Sequence, residues 1–440
     1  MYQDNDFYHD ESGNSEFSIT RFQKFLYNLT YGFSDKLSEG KPYMNCACVA
    51  AVRLNQGFIF NAEKMQQAIQ KIFDCNDAFR TILVKRNDEI KQKILLHYDY
   101  ELDLRKTYGN TIEEKLADAI HQSDIEGALP ILNFDQVTVK FIVFKIAEDD
   151  YLILTVQNHL VSDGNSTFIS LKQLISYYDK GKMHTSVGTF HEFNENEFLT
   201  ISTEYGKNKI EELKHEMDNY VYSPDFVVKE EDKNVKSSDI GTKKIDLKEI
   251  LAFARKNKTS YFYITLAAYH IALSIMLKTD DTIISFGAAN RNDERFTNTI
   301  GLLVRTLPHR MKIDMNETFS QLLSRTIKSG SRLIDEQAYA SYDMRSPFFL
   351  TIQSGSTVGG LLKLSSGTAQ LVQLGTDRQL EVFALLGNEF SSNLILSIQC
   401  AVKIYGSEFV SKVSDITYDA IKVMMSNLDE NVGEFINKFK

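Results

Sequence analysis

Two kinds of apolar spacing run through this chain. Residues 43–54, 79–84, 94–98, 137–146 and 151–157 are short apolar runs rich in strand-favouring side chains, and the last two predict a hairpin joined across 147–150. Between them the spacing changes to three and four. Residues 18–31 put Phe22, Phe25, Leu26 and Leu29 on one face. From Asn61, an N-cap, the chain does the same with Met65, Ala68, Ile69, Ile72 and Phe73. Thr111-Ile112-Glu113-Glu114 is a capping box that opens a helix with Leu116, Ala117 and Ile120 inside. Beyond residue 157, Phe168, Ile169, Leu171, Leu174, Ile175 and Tyr178 predict another. Helices and strands mix without strict alternation, which predicts an α+β architecture rather than a doubly wound sheet.

Residues 180–245 lack a period and carry the charge run Lys229-Glu230-Glu231-Asp232-Lys233. They are expected to be a crossover loop with one surface helix near 207–220. A capping box, Asp246-Leu247-Lys248-Glu249, then opens a helix burying Ile250, Leu251 and Ala254. Residues 261–277 predict an apolar helix, and 281–288, 348–353, 379–386 and 393–404 predict strands. Helices over 407–425 and 431–439 close the chain. The expected division is a flexible N-terminus at 1–17, an N-terminal lobe at 18–180, a crossover at 181–245 and a C-terminal lobe at 246–440.

Composition narrows the classes. The 440 residues are 43% apolar, enough for two to three domains or lobes. A net charge of −10, with lysines scattered, argues against a nucleic-acid partner. No apolar run approaches the roughly 20 residues of a membrane helix. The acidic start, Met1-Tyr2-Gln3-Asp4-Asn5-Asp6, does not resemble a signal peptide, so a cytoplasmic location is expected. Cys46 and Cys48 form C-x-C without a second pair. With Cys75 and Cys400 they are expected to be reduced, mostly buried small apolar residues, and no metal site is expected.

One stretch carries candidate chemistry: Gln157-Asn158-His159-Leu160-Val161-Ser162-Asp163-Gly164. It falls where a buried strand ends and a loop turns into a helix, a place where a rigid scaffold fixes a side chain beside open space. Gly164 is expected to allow a sharp backbone turn, and Asp163 to orient the site or brace the loop. On spacing alone, His159 and Asp163 also fit a hydrogen-bonded structural pair. His9, His97, His121, His184, His191, His215, His270 and His309 fall in no ligand spacing, and His270 sits in an apolar helix as a core residue. There is no G-x-S-x-G, and Cys75 and Cys400 have no motif beside them. Chemistry without a covalent enzyme intermediate is therefore expected. The glycines of 355–360 lack G-K-[ST] and are expected to form a flexible loop.

Five stretches in order resemble the condensation domains of nonribosomal peptide synthetases, within the chloramphenicol-acetyltransferase-like acyltransferases. Asn76-Asp77-Ala78-Phe79-Arg80-Thr81 resembles an "H-E-A-L-R-T" segment, and Asn158 to Gly164 the H-H-x-x-x-D-G motif. Residues 261–287 resemble the helix and strand before the family's G-R segment. Residues 300–310 resemble "I-G-x-F-V-N-T-L-P-L-R", and Tyr405-Gly406-Ser407-Glu408-Phe409 a late "Y-x-x-x-L-F" segment. The resemblance implies two lobes in a V with a central tunnel, entered by two carrier-tethered thioesters. It implies His159 as the catalytic position, acting as general base or positioning residue, and Asp163 as a structural partner of Arg291. It also implies Arg305 and Gln353 as tunnel or substrate-lining residues. No bound cofactor is implied: the substrates ride on the phosphopantetheine of acyl or peptidyl carrier proteins in trans, or on coenzyme A, and the acceptor is a small amine or alcohol. The chain departs from the pattern at Asn158, where the first histidine usually stands, at Arg305, where Asn is usual, and at 339–342, which lack an "H-Q" pair. These touch substrate class more than fold. The alternatives to a free-standing amide-forming enzyme are an O- or N-acyltransferase with a soluble acceptor and a carrier-binding relative without catalysis.

Overall fold

The computed structural model describes residues 8–9, 15–31, 47–87, 89–129, 134–220, 238–340, 346–353, 362–372, 374, 383–390, 392–400 and 405–439, and all that follows concerns these. The chain forms two compact units. The first comprises Met1–Thr203, Ala289–Val304 and Gly359–Gly375; the second comprises Glu204–Ala288, Arg305–Val358 and Thr376–Lys440.

The first unit opens with β1 (Tyr8–His9), β2 (Ser15–Ser18), α1 (Arg21–Tyr31), β3 (Ala47–Asn55) and α2 (Ala62–Cys75). It continues through β4 (Thr81–Arg86), β5 (Glu89–Ile94), β6 (Asp103–Lys106), α3 (Ile112–Ala128), β7 (Val139–Ala147), β8 (Asp150–Asn158), α4 (Gly164–Lys180) and α5 (Phe190–Ser202). Asn61 caps α2 through its side chain, and the Thr111–Glu114 capping box of α3 forms in both directions. The hairpin β7–β8 pairs antiparallel, and β8 is buried at every position along its length. A buried strand with no polar face is what lets its last residue deliver the next one, His159, into a fixed place.

The second unit contains α6 (Glu204–His215), β9 (Ser238–Asp246), α7 (Leu247–Lys256), α8 (Tyr261–Leu277), β10 (Asp281–Ala288), β11 (Arg305–Lys312), α9 (Phe319–Asp335) and β12 (Phe348–Gln353). The chain then forms β13 (Leu362–Lys363) and β14 (Thr368–Val372), and ends with β15 (Phe383–Phe390), β16 (Asn393–Cys400), α10 (Ser407–Ser426) and α11 (Val432–Asn437). The second unit's sheet has the order β11-β10-β12-β15-β16-β9. Helix α8 is apolar all round because it is the core of this unit, with Leu266, Ala267, Tyr269 and Ile271 fully buried. His270 is buried with them and is satisfied at both nitrogens: Nδ1 meets Thr282 Oγ1 at 2.7 Å and Nε2 meets His309 Nδ1 at 2.8 Å. His309 Nε2 in turn meets Ser329 Oγ at 2.7 Å. Among the described residues no single helix is long and apolar enough to cross a membrane.

Several expectations are corrected. Residues 246–440 do not stay in one lobe: Ala289–Val304 and the β13–β14 hairpin belong to the first unit, where β14 pairs antiparallel with β3 in the sheet order β13-β14-β3-β8-β7-β6. Pairing of strands this far apart in sequence leaves no local signature. Ser15–Ser18, expected within a flexible terminus, is a strand paired with β5, and Phe17 is buried. Residues 77–80 form a 3-10 turn before β4, and the strand expected at 94–98 ends at Ile94. Helix α3 buries Ala119 rather than Ala117. The region read as a crossover with one surface helix has that helix, α6, a few residues earlier than expected, and also holds the unexpected α5 and β9. Helix α5 has a two-way capping box from Thr189 and Glu192. Its inner face includes buried Asn194 and Glu197 beside Phe190 and Phe193, and these polar positions hide the apolar period. Cys46, the charge run at 229–233, the glycine loop at 355–360, and residues 43–45, 341–342, 379–382 and 401–404 lie outside the described residues.

Candidate active site

The candidate site is a five-residue turn, 159–163, between β8 and α4, and side chains in and beside it hold it in shape. Asn158, the last residue of β8, accepts the Leu160 N–H on Oδ1 at 2.8 Å, and its carbonyl accepts the Val161 N–H at 3.1 Å. It is a buried turn brace. Ser162 is fully buried, and its hydroxyl donates to Gln157 Oε1. Gln157 is held from the other side by donating to Thr155 Oγ1 and Ser170 Oγ, each at 2.9 Å. The turn therefore has one shape, and His159 inherits it.

Asp163 ends the turn and is the N-cap of α4, with Oδ1 accepting the Ser166 N–H at 2.8 Å. Its carboxylate also takes two bonds from Arg291, Nη1 to Oδ2 at 2.9 Å and Nη2 to Oδ1 at 3.0 Å. The Ser166 hydroxyl and the N–H groups of Leu303 and Val304 complete the set. Six donors converge on a group only 1% exposed. Burial pushes this carboxyl up, but Arg291 and the backbone donors outweigh it and hold it below the ordinary value. A carboxylate so saturated has no lone pair to spare for a reacting proton, so its work is to fix geometry.

That geometry extends to other stretches of the first unit. The Ser166 hydroxyl accepts the Gly301 N–H at 3.0 Å, and its single hydrogen is shared between Asp163 Oδ1 and the Gly301 carbonyl 2.8 Å away. Phe190, at the head of α5, lies over Gly301 so closely that a Cβ there would overlap its ring. The head of α5 is set by Asp77, which accepts the Phe190 and His191 N–H groups at 3.0 and 2.8 Å. Thr299 donates to the Gly188 carbonyl at 2.7 Å. Asp77 from the first resembling stretch, Asp163 from the second, Arg291 and Gly301 thus form one connected frame around the turn.

His159 is half-buried, and its Nδ1 lies 2.7 Å from the Ser162 carbonyl. A carbonyl only accepts, so Nδ1 carries hydrogen and Nε2 is the basic nitrogen of the neutral ring. Cys48 stands on the neighbouring strand β3, opposite Gln157. Its Sγ lies 3.9 Å from the same Ser162 carbonyl. Burial pushes the imidazole down, but the Cys48 sulfur, the Ser162 carbonyl and the Asp163 carboxylate push harder the other way and raise it to about 9.

The remaining candidates separate. Gly164 is the first residue of α4, has no positive φ, and nothing lies within 4 Å of where a Cβ would stand. The expected need for a sharp glycine turn is therefore corrected: the position faces open space. Arg291, 8% exposed, is brought to Asp163. Arg305 and Gln353 stand in the second unit. Arg305 opens β11 opposite Ala288 and has no exposed surface, so it lines no open cavity. Gln353 ends β12 opposite Asn388. Sequence reasoning missed Cys48, Ser162, Ser166 and Asp77 as parts of the site. The alternate spacing of Cys46 and Cys48 in the sequence was a signal, but the register that sets Cys48 opposite Gln157 comes only from the sheet. Among the described residues no cluster of His, Cys, Asp or Glu forms a metal site.

Comparison with known proteins fits this frame. The sequence pattern of the condensation domain family matches residues 35–353, and the chain belongs to that family. It is 20% identical to gramicidin S synthase 2 of Aneurinibacillus migulanus over 96% of this chain and 10% of that protein. It is 24% identical to surfactin synthase subunit 1 of Bacillus subtilis (strain 168) over 64% of this chain and 8% of that protein. The chain thus spans about a tenth of the length of these relatives. Among solved structures, the X-domain from teicoplanin biosynthesis superposes with a TM-score of 0.76 at 10% identity, covering 94% of this chain and 96% of that one. SgcC5 from Streptomyces globisporus gives 0.73 at 15% identity, covering 94% and 100%. The starter condensation domain of rhizomide synthetase, solved with C8-CoA, gives 0.75 at 13%, covering 95% and 96%. The fold is the chloramphenicol-acetyltransferase-like fold of condensation domains. Family membership supports a condensation-type acyl-transfer role of the kind found in nonribosomal peptide synthesis.

Proposed function

We propose that this protein joins an acyl or aminoacyl group, delivered as the thioester of a carrier protein, to a small amine. The observation that carries this is the hydrogen bond from His159 Nδ1 to the Ser162 carbonyl, which commits Nε2 to be the basic nitrogen of the half-buried, neutral ring. In the reaction the amine nitrogen attacks the thioester carbonyl and His159 Nε2 takes the amine proton. The tetrahedral centre then collapses, the C–S bond breaks, and the same proton passes to the departing phosphopantetheine sulfur. Atoms and charge balance without a cofactor and without an acyl-enzyme. Asp163 and Arg291 keep the turn in place and transfer no proton. Holding two tethered reactants together supplies much of the acceleration. With the imidazole raised to about 9, transfer requires the minority neutral ring, so the rate rises with pH up to that value.

The test is an intact-mass assay of the protein with acyl-loaded carrier proteins and, separately, acyl-coenzyme A, each against amines and alcohols. The coenzyme A and alcohol arms are motivated by two similar structures: the rhizomide domain was solved with C8-CoA, and SgcC5 with a 1,2-ethanediol derivative. Carrier-dependent amide formation supports the proposal. Transfer from coenzyme A to an alcohol identifies a soluble O-acyltransferase instead. Carrier binding with no turnover under any donor leaves a binding role alone.

A further inference from the structure

Resting on that acyl-transfer reading, we infer that Gln23 is a positioning residue for the reaction: from the head of α1 it holds the Leu160 carbonyl and, through it, the turn that carries His159. Gln23 is 1% exposed, and its Nε2 donates to the Leu160 carbonyl at 2.8 Å across 137 residues of sequence. The other partners fix which end of the amide faces the turn. The Thr20 N–H can only donate, and it meets Gln23 Oε1 at 2.8 Å. The Leu160 carbonyl can only accept, so Nε2 must face it. Gln92, fully buried on β5, completes the set: its Oε1 accepts from Gln23 Nε2 at 3.0 Å and its Nε2 donates to Gln23 Oε1 at 3.3 Å. Both lone pairs of Gln23 Oε1 and both hydrogens of Nε2 are then in use, so the amide has one orientation. Gln92 is itself anchored to the Ser18 carbonyl at 3.1 Å.

What this bond does follows from the peptide it meets. The peptide between Leu160 and Val161 is held at both ends, its N–H by the Asn158 carbonyl and its C=O by Gln23. The preceding peptide, which joins His159 to Leu160, is held at its N–H by Asn158 Oδ1. Leu160 is 2% exposed, so without Gln23 its carbonyl would lose this donor where water does not replace it, and the peptide would turn to find another. That rotation carries His159 with it, and a misplacement of about 1 Å caused by a group that never touches substrate can cost about a hundred-fold in rate. Thr20 and Gln23 also form a capping box for α1, in which the Gln23 N–H donates to Thr20 Oγ1 at 3.1 Å. That bond serves the helix, and it can be removed without touching the one to Leu160.

Two variants separate these roles. Gln23→Met keeps the length of the side chain and loses the donor to Leu160. Thr20→Ala loses the capping hydroxyl and keeps the backbone N–H that orients Gln23. For both, beside wild type, kcat and KM for amide formation are measured, with urea unfolding to compare stability. The exchange of the His159 ring Nδ1–H with water is followed by NMR of ¹⁵N-histidine-labelled protein. For Gln23→Met, kcat is expected to fall about ten-fold or more with KM within about two-fold, and the Nδ1–H to exchange about ten-fold faster. Thr20→Ala is expected to lose stability but to keep kcat and the exchange rate within about two-fold of wild type. Gln23→Asn, one methylene too short to reach the Leu160 carbonyl, is expected to behave like Gln23→Met and replaces it should that variant not fold. An unchanged kcat, or ring exchange equal to wild type, in the folded Gln23 variants overturns the inference, as does an equal loss of kcat in Thr20→Ala. If wild type transfers no acyl group, the acyl-transfer reading fails, and the ring exchange alone decides whether Gln23 holds the turn.

Discussion

Two histidine environments in this protein use the same residue type to opposite ends. In the first unit, His159 is half-buried on a short turn, with one nitrogen bonded to the Ser162 carbonyl. In the second unit, His270 and His309 are fully buried, and each has both nitrogens engaged in a chain from Thr282 to Ser329. Partners that favour the charged ring raise His159 to about 9. Burial, with further downward pushes from Arg332 and Arg325, lowers His309 to about 3, and burial, with pushes from His309 and Arg325, holds His270 well below its usual value. The chain of hydrogen bonds through the pair is complete with both rings neutral, so an added proton has no acceptor waiting. Accessibility and the sign of the shift together separate the histidine we propose for chemistry from the two placed for packing.

The comparison is broken most severely at the frame under His159. Asp163→Ala strands the Arg291 guanidinium and leaves the Leu303 and Val304 N–H groups without their acceptor. A loss of about 3–5 kcal/mol in unfolding free energy is expected, read by urea denaturation. A change below about 1 kcal/mol would mean the frame does not hold the turn.

The second test sharpens the buried side. A histidine depressed in the folded state binds its proton more readily when unfolded. Stability is therefore full above the unfolded value near 6.5 and is lost as pH falls from there towards about 3 for His309. Thermal unfolding from pH 7.5 to 4.5 is expected to show this loss, and His309→Gln to show a shallower slope with a lower starting stability. His159 runs the other way, contributing most below about 6.5 and losing its contribution as pH rises through about 9.

The smallest effects come from two glycines of the first unit. Gly301→Ala forces Phe190 to move and is expected to cost about 1–3 kcal/mol. Gly164→Ala meets open space and is expected to stay within about 0.5 kcal/mol. Equal costs at the two positions would contradict the account of which glycine is sterically required.

These positions also show what was legible from sequence. The hairpin into His159, the caps at Asn61 and Thr111, and helix 261–277 follow from local patterns, and the structure has them where the spacing placed them. The order of motifs carried the fold. What was hidden depends on pairing across long separations. The β13–β14 hairpin joins β3 from more than three hundred residues away in sequence. Cys48 reaches the Ser162 carbonyl only through the β3–β8 register that sets it opposite Gln157. Helix α5 was obscured by polar residues buried on its inner face. Gly164 was misjudged because a glycine in a turn invites a steric explanation that the open space there does not support.

The central claim is that His159 performs acyl transfer while Asp163 and its partners only hold it. The most direct measurement is the single-turnover rate of amide formation by His159→Ala, from acyl-loaded carrier, beside its unfolding temperature. A rate lower by about 10²–10⁴-fold, with the unfolding temperature within a few degrees of wild type, is the predicted result. A variant that is equally well folded and as fast as wild type would contradict it.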